Sequence, residues 1–150
     1  MCFKKHSILY FFLLALLTSN YNWAQTPPEL TAIGDQFYCP LSQINIVTDF
    51  SIIPGDEEIN AIFIQISENY TQSEDTLILT GSHPTISASW STTEGKLTLT
   101  ALTPSSIAYI DLIAAVKDVV FKSSAVNPLK DKIFSITVSW VILHSNRTFC

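Results

Sequence analysis

Three side chains near the end of the chain have types that can do chemistry. In "SITVSWVILHSNRTFC" an imidazole (His144), a guanidinium (Arg147) and a thiol (Cys150) follow one another within seven positions. Thiol and imidazole together are the raw material of nucleophilic catalysis, in which a base activates a sulfur. The only other imidazole outside the first residues, His83, lies in "GSHP", where the residue before proline is pushed to an extended backbone. That context reads as a solvated loop histidine. No Gly-x-Ser-x-Gly elbow and no cysteine-protease signature accompanies these groups. The residues read as a non-enzyme.

Carboxylates offer a second chemistry. "TDFSIIPGDEEIN" places Asp49, Asp56, Glu57 and Glu58 around a Pro-Gly turn. Calcium takes six to eight oxygens from loop carboxylates and carbonyls. Asp56 and Glu58, with Asp49, form the candidate calcium site, although the spacing departs from the EF-hand loop and a solvated acidic turn is the preferred reading. Ligands for zinc are lacking. Trp90 and Trp140 raise a sugar-stacking alternative, set against packing on a core. Neither has aligned polar groups beside it in the sequence.

The elements that must position these groups read as β. "AIFIQIS" (61–67) alternates Ile62, Ile64 and Ile66 with Phe63 and Gln65, the period of a half-buried strand. "TLILT" (76–80), "TISASW" (85–90), "KLTLT" (96–100) and "KIFSITV" (132–138) follow the same rule, with leucines or isoleucines inward and Thr or Ser outward. "QINIVTDFSI" (43–52) reads as one further strand, with Ile44, Ile46 and Phe50 inward. Gly34, Gly55, Gly81 and Gly95 fall between the runs, among turn formers. "TPSSIAYIDLIAAVKDVVF" breaks the pattern with apolar residues at helical spacing. It predicts a short helix from about Ser106 to Val116, capped by Ser105 or Ser106 and running into a strand, "DVVFKSS". The expected fold is mostly β, a sandwich with one short crossover helix.

The first residues carry a different signal. Lys4 and Lys5 precede an apolar run from Ile8 to Leu17, followed by a short polar stretch. At about ten residues that run is too short to span a bilayer, and the three-part pattern is that of a secretory signal peptide. Residues 1–24 are expected to be removed after Ala24, leaving Gln25. Residues 25–29, "QTPPE", then read as an extended leader, 30–138 as the sandwich and 139–150 as an atypical tail. No membrane span is expected after cleavage, and the product belongs in the periplasm, at the cell surface or outside the cell. The whole chain has 8 basic and 13 acidic residues, a formal −5. The leader takes two lysines, so the remainder carries 6 − 13 = −7. Such a body has no electrostatic footing on nucleic acid or anionic lipid.

Cys2 leaves with the leader, so Cys39 and Cys150 remain. An oxidising compartment permits a bridge, which in the chain-entropy account would contribute roughly 4–5 kcal/mol for a loop of about 110 residues. Two unpaired thiols is the preferred reading, since Cys150 ends the atypical tail.

Several phrases together resemble a known family. "YCPLSQINIVTDFSI", "AIFIQIS", "DTLILTGSHPTISASWSTTEGKLTLT" and "IAYIDLIAAVKDVVFKSSAVNP…FSITV" resemble the cadherin-like module near the N-terminus of large surface proteins of gliding Bacteroidetes. The resemblance covers roughly Phe37 to Val138, and the hairpin phrase "SWSTTEGKLTLT" is its most specific part. It implies an immunoglobulin-like sandwich that spaces or adheres, with protein or glycan partners at the cell surface and no catalytic residues. In such proteins a lectin-like domain and a type IX sorting domain follow, and "SWVILHSNRTFC" resembles neither, as a truncated relative would. "DTL" (75–77) resembles the short O-glycosylation acceptor motif of these bacteria, with Thr76 as acceptor. "NYT" and "NRT" fit the N-glycosylation pattern. The expected function is therefore a secreted structural or adhesion module, with a calcium-dependent or carbohydrate-binding module as the alternative.

Overall fold

The chain is described by a computed structural model for residues 26–56, 58–102, 107–126 and 130–141. In chain order the strands are β1 (Glu29–Ile33), β2 (Gln43–Asn45), β3 (Asp49–Ile53), β4 (Glu58–Glu68), β5 (Asp75–Leu79), β6 (Ile86–Ser91) and β7 (Lys96–Ala101). The helix α1 (Tyr109–Lys117) follows, and then β8 (Val119–Ser123) and β9 (Ile133–Val141). They form an antiparallel four-stranded sheet, β6-β7-β4-β9, a three-stranded sheet, β2-β8-β5, and a two-stranded pair, β1-β3. The chain is thus the mostly-β sandwich with one short helix that its periodicity predicts.

Alternation decides which face is core. Ile62, Ile64 and Ile66 of β4 lie beside Leu97 and Leu99 of β7, all buried, while Ser and Thr cover much of the outer face. Phe63 points outward, with the Lys96 ammonium 5.9 Å from its ring centre. Against the inner face pack Phe50 and Ile52 of β3, Leu77 of β5, Val119 and Phe121 of β8, and Leu112, Ala115 and Val116 of the helix. An edge-to-face chain of rings joins the layers. Tyr38 meets Phe121 at 5.1 Å and Phe121 meets Phe134 of β9 at 5.5 Å. The Tyr38 hydroxyl also accepts the Ser123 N–H at 3.0 Å, tying the loop before β2 to the end of β8.

Four expectations change in detail. The 43–52 run is two strands in two sheets, because Ile46 and Val47 both turn into the core and the ladder breaks there. Glu29, assigned to the leader, is the first residue of β1, and Pro28 is buried. The helix begins at Tyr109 with Ala108 as its N-cap and no side-chain cap, while Ser105 and Ser106 lie outside the described residues. The last strand continues three residues past Val138, pairing Ser139, Trp140 and Val141 with Ala61, Ile59 and Glu58. A register shift at Asn60 gives β4 one extra residue there, which keeps Ile59 on the buried face.

Both ends of the described sandwich leave from one pole. Thr26 exchanges backbone and side-chain hydrogen bonds with Asp56, and Val141 pairs with Glu58. Gly55 permits this closure, since a Cβ there would collide with the backbone of Thr26 and Pro27.

Candidate functional site

The candidate calcium carboxylates are not brought together. β3 separates them: Asp49 opens that strand, paired with Ile33, and Asp56 lies beyond its other end, past Ile53. Asp49 forms an ion pair of 2.7 Å with Lys117 in the last turn of α1, where a cation also suits the helix dipole. The hydrogen bond from Lys117, with a further one from the Phe50 N–H, holds the Asp49 carboxyl below the usual aspartate range. Asp56 Oδ2 accepts the Thr26 N–H at 3.0 Å, and Glu58 is exposed at the start of β4. Among the described residues no three His, Cys, Asp or Glu side chains gather as a metal-binding group.

His83 is not the solvated loop residue its neighbours suggest. Its side chain is 10 % exposed, and Nε2 lies 3.1 Å from both the Thr80 carbonyl and Asp118 Oδ2. Both partners are acceptors, so Nε2 carries the hydrogen. Thr80 adds two hydrogen bonds to the Asp118 carbonyl, from its N–H and its hydroxyl. The group is a latch between the end of β5 and the end of α1. His144, Arg147 and Cys150 lie outside the described residues. Cys39 is exposed, with no disulfide partner among the described residues.

Thr76 faces outward from β5, half-buried, while the preceding Asp75 points into the protein. Asn69 of the "NYT" sequence donates its side-chain amide to the Asp131 carbonyl. Trp90 lies edge-on to Tyr70 at 6.2 Å and packs against the core. Trp140 is on the inner face of β9, as the two-residue step from Val138 requires, and is 42 % exposed.

Two features carry no sequence signal. Asp75, buried at 1 % exposure, binds Lys132 from 57 positions away through Oδ2 at 2.6 Å. The same oxygen accepts the Thr71 N–H at 2.7 Å, and Lys132 also donates to the Asn69 carbonyl. The second oxygen, Oδ1, is buried without a hydrogen-bond partner among the described residues. Beside Lys132 the flank of the sandwich is open. A cleft of about 330 Å³ runs between Leu30 and Ala32 of β1 and Phe134 and Ile136 of β9, floored by Phe50. Leu30, Phe50, Phe134 and Ile136 give it apolar wall, but Asp35, Lys132 and backbone groups make its exposed lining polar overall, so it suits a side chain with an apolar body and a polar handle.

No family model, curated protein or solved structure matches this chain. Among the described residues no helix is long and apolar enough to cross a membrane.

Proposed function

We propose that this chain is an exported, non-enzymatic module of the cell surface, immunoglobulin- or cadherin-like in kind, that presents a rigid sandwich to protein or glycan partners. The observation that carries this reading is the shared pole of the two ends. Segments entering at Thr26 and leaving at Val141 meet Asp56 and Glu58, respectively. The sandwich therefore stands out from its attachment as a pendant body. β1 carries the chain away from that pole into a loop whose Phe37 is fully exposed and whose Leu41 is 64 % exposed. Apolar side chains held in water at the far side of a rigid body suit contact with another macromolecule. The charged side chains support the same reading: Asp49, Asp75 and Asp118 each hold a Lys or His from a distant part of the chain, fastening separate segments to one another.

Export and display are tested together in the source cells. The mature chain is expected to begin at Gln25, and an impermeant maleimide is expected to label Cys39 on intact cells. A chain retained inside the cell with its first 24 residues attached would sink the proposal.

A further inference from the structure

Among the described residues β9 is the edge of the four-stranded sheet and pairs on one side only, with β4. Natural edge strands are usually guarded by charge, proline, a bulge or short length. Within "IFSITVSWV" β9 offers nine residues with no charge, no proline and no glycine, and the two register shifts of its ladder lie on β4, at 59/61 and 66/68. Its sequence is also a palindrome by residue type around Thr137. Ile133 mirrors Val141, Phe134 mirrors Trp140, Ser135 mirrors Ser139, and Ile136 mirrors Val138. Antiparallel pairing of two such strands about a two-fold axis at Thr137 sets like beside like at every step. Residues directly opposite in an antiparallel pair share a face. Aromatic therefore meets aromatic on the inner face, and Ser meets Ser on the outer.

We propose that two copies of this chain associate through β9, forming a closed two-fold dimer in which the sheets join as one of eight strands. Trp140 supplies the knob and the open flank supplies the hole. In this register Trp140 of each copy lies next to Phe134 of the other, on the side where Phe134 and Ile136 line the 330 Å³ cleft. The acidic balance of the whole chain opposes approach of two copies, whereas β9 is neutral. The opposite edge, β6, is shorter, and its large side chains are covered, Ile86 by the core and Trp90 by Tyr70. Nine residues of edge run about 30 Å with a depth near 10 Å, or about 300 Å² per copy. Trp140 is 42 % exposed, so seating it adds about 100 Å². The total, about 800 Å² over both copies, is that of a weak interface, so a dimer with a dissociation constant of about 10–100 µM is expected.

The test is sedimentation velocity on the full chain, expressed from Met1 and purified as the cell processes it, between about 1 and 100 µM. Monomer giving way to dimer, with nothing larger, is the expected result. Thr137 is exposed on the outer face, so Thr137→Lys leaves the core alone but places two like charges on the axis. It should weaken the dimer at least tenfold with an unchanged circular dichroism spectrum. Mixing Thr137→Lys with Thr137→Glu should restore a heterodimer. Should Thr137→Lys not fold, Trp140→Ala is read in its place, with the same loss expected. The proposal is overturned by a chain that stays monomeric to 100 µM, by open-ended assembly, or by a dimer indifferent to the substitution read. Failure of the mixed pair to associate also overturns it. None of these outcomes depends on whether the chain is displayed at a cell surface.

Discussion

A buried carboxylate with one oxygen unpartnered, as Asp75 has, depends on the cation at its other oxygen. Lys132→Met leaves that charge in the core uncompensated and should cost about 3–5 kcal/mol of unfolding free energy in urea. Asp75→Asn together with Lys132→Met removes the buried charge and keeps an acceptor for the Thr71 N–H. The double variant should recover at least half of the loss, a coupling that independent contacts would not show. Asp49 and Lys117 are a milder pair, exposed to solvent. Because the folded carboxyl is held below its ordinary value, the pair stabilises the fold above the unfolded aspartate pKa. That contribution is lost as pH falls through the lowered folded value. An NMR titration of the Asp49 carboxyl should therefore move upward in Lys117→Met, and an unmoved midpoint would remove Lys117 as the cause. Neither pair was legible in the sequence. Salt bridges link positions far apart along the chain, and nothing in local pattern selects one lysine among several. The calcium reading shows the converse: Asp49 and Asp56 are near in sequence, yet a strand holds them apart.

Among the elements, two turns contrast a residue that suits its backbone with one that does not. Gly95 closes the β6–β7 hairpin at φ +62°, and a Cβ there would meet the Tyr70 ring at 2.8 Å. Leu41 occupies φ +62° at the third position of the turn from Cys39 to Ser42, where glycine is usual. Gly95→Ala should destabilise by about 2 kcal/mol or more, from left-handed strain and displacement of the ring. Leu41→Gly should do the reverse, stabilising by up to about 1 kcal/mol, since the exposed leucine loses little packing. Thermal melts of the two variants check both signs. Elements were read well where periodicity ran long: β4, β5, β6, β7 and the helix lie within a few residues of their expected places. The 43–52 run reads as one strand because Ile44, Ile46 and Phe50 keep alternating through a break in which Ile46 and Val47 are both buried. Hydrophobic pattern marks burial, not which sheet a residue joins. The sequence ends the last strand at Val138 because Trp140 suits a strand face or a tail until β4 lies beside it.

For the whole molecule, the layers followed from composition, but the placement of the ends did not. A sandwich that spaces domains along a chain is expected to be entered at one pole and left at the other, so that tension shears its strands. Here Thr26 meets Asp56 and Val141 meets Glu58, and β1 runs away from that pole while β9 runs toward it. Tension between the ends therefore loads ladder hydrogen bonds one after another, β1 from β3 and β9 from β4. Tension between residue 26 and the β6–β7 turn acts along the strands instead, because Gly95 lies beside Ile66 at the far end of β4. That geometry loads the β4–β7 ladder together, with its bonds perpendicular to the pull. Single-molecule stretching should accordingly give a lower unfolding force end to end than between residue 26 and a handle at Thr93. Equal forces, or a stronger end-to-end response, would mean that the module bears load in line and is a spacer after all. The weaker response is the one expected of a body whose two ends leave from one pole, because its ladders then open bond by bond.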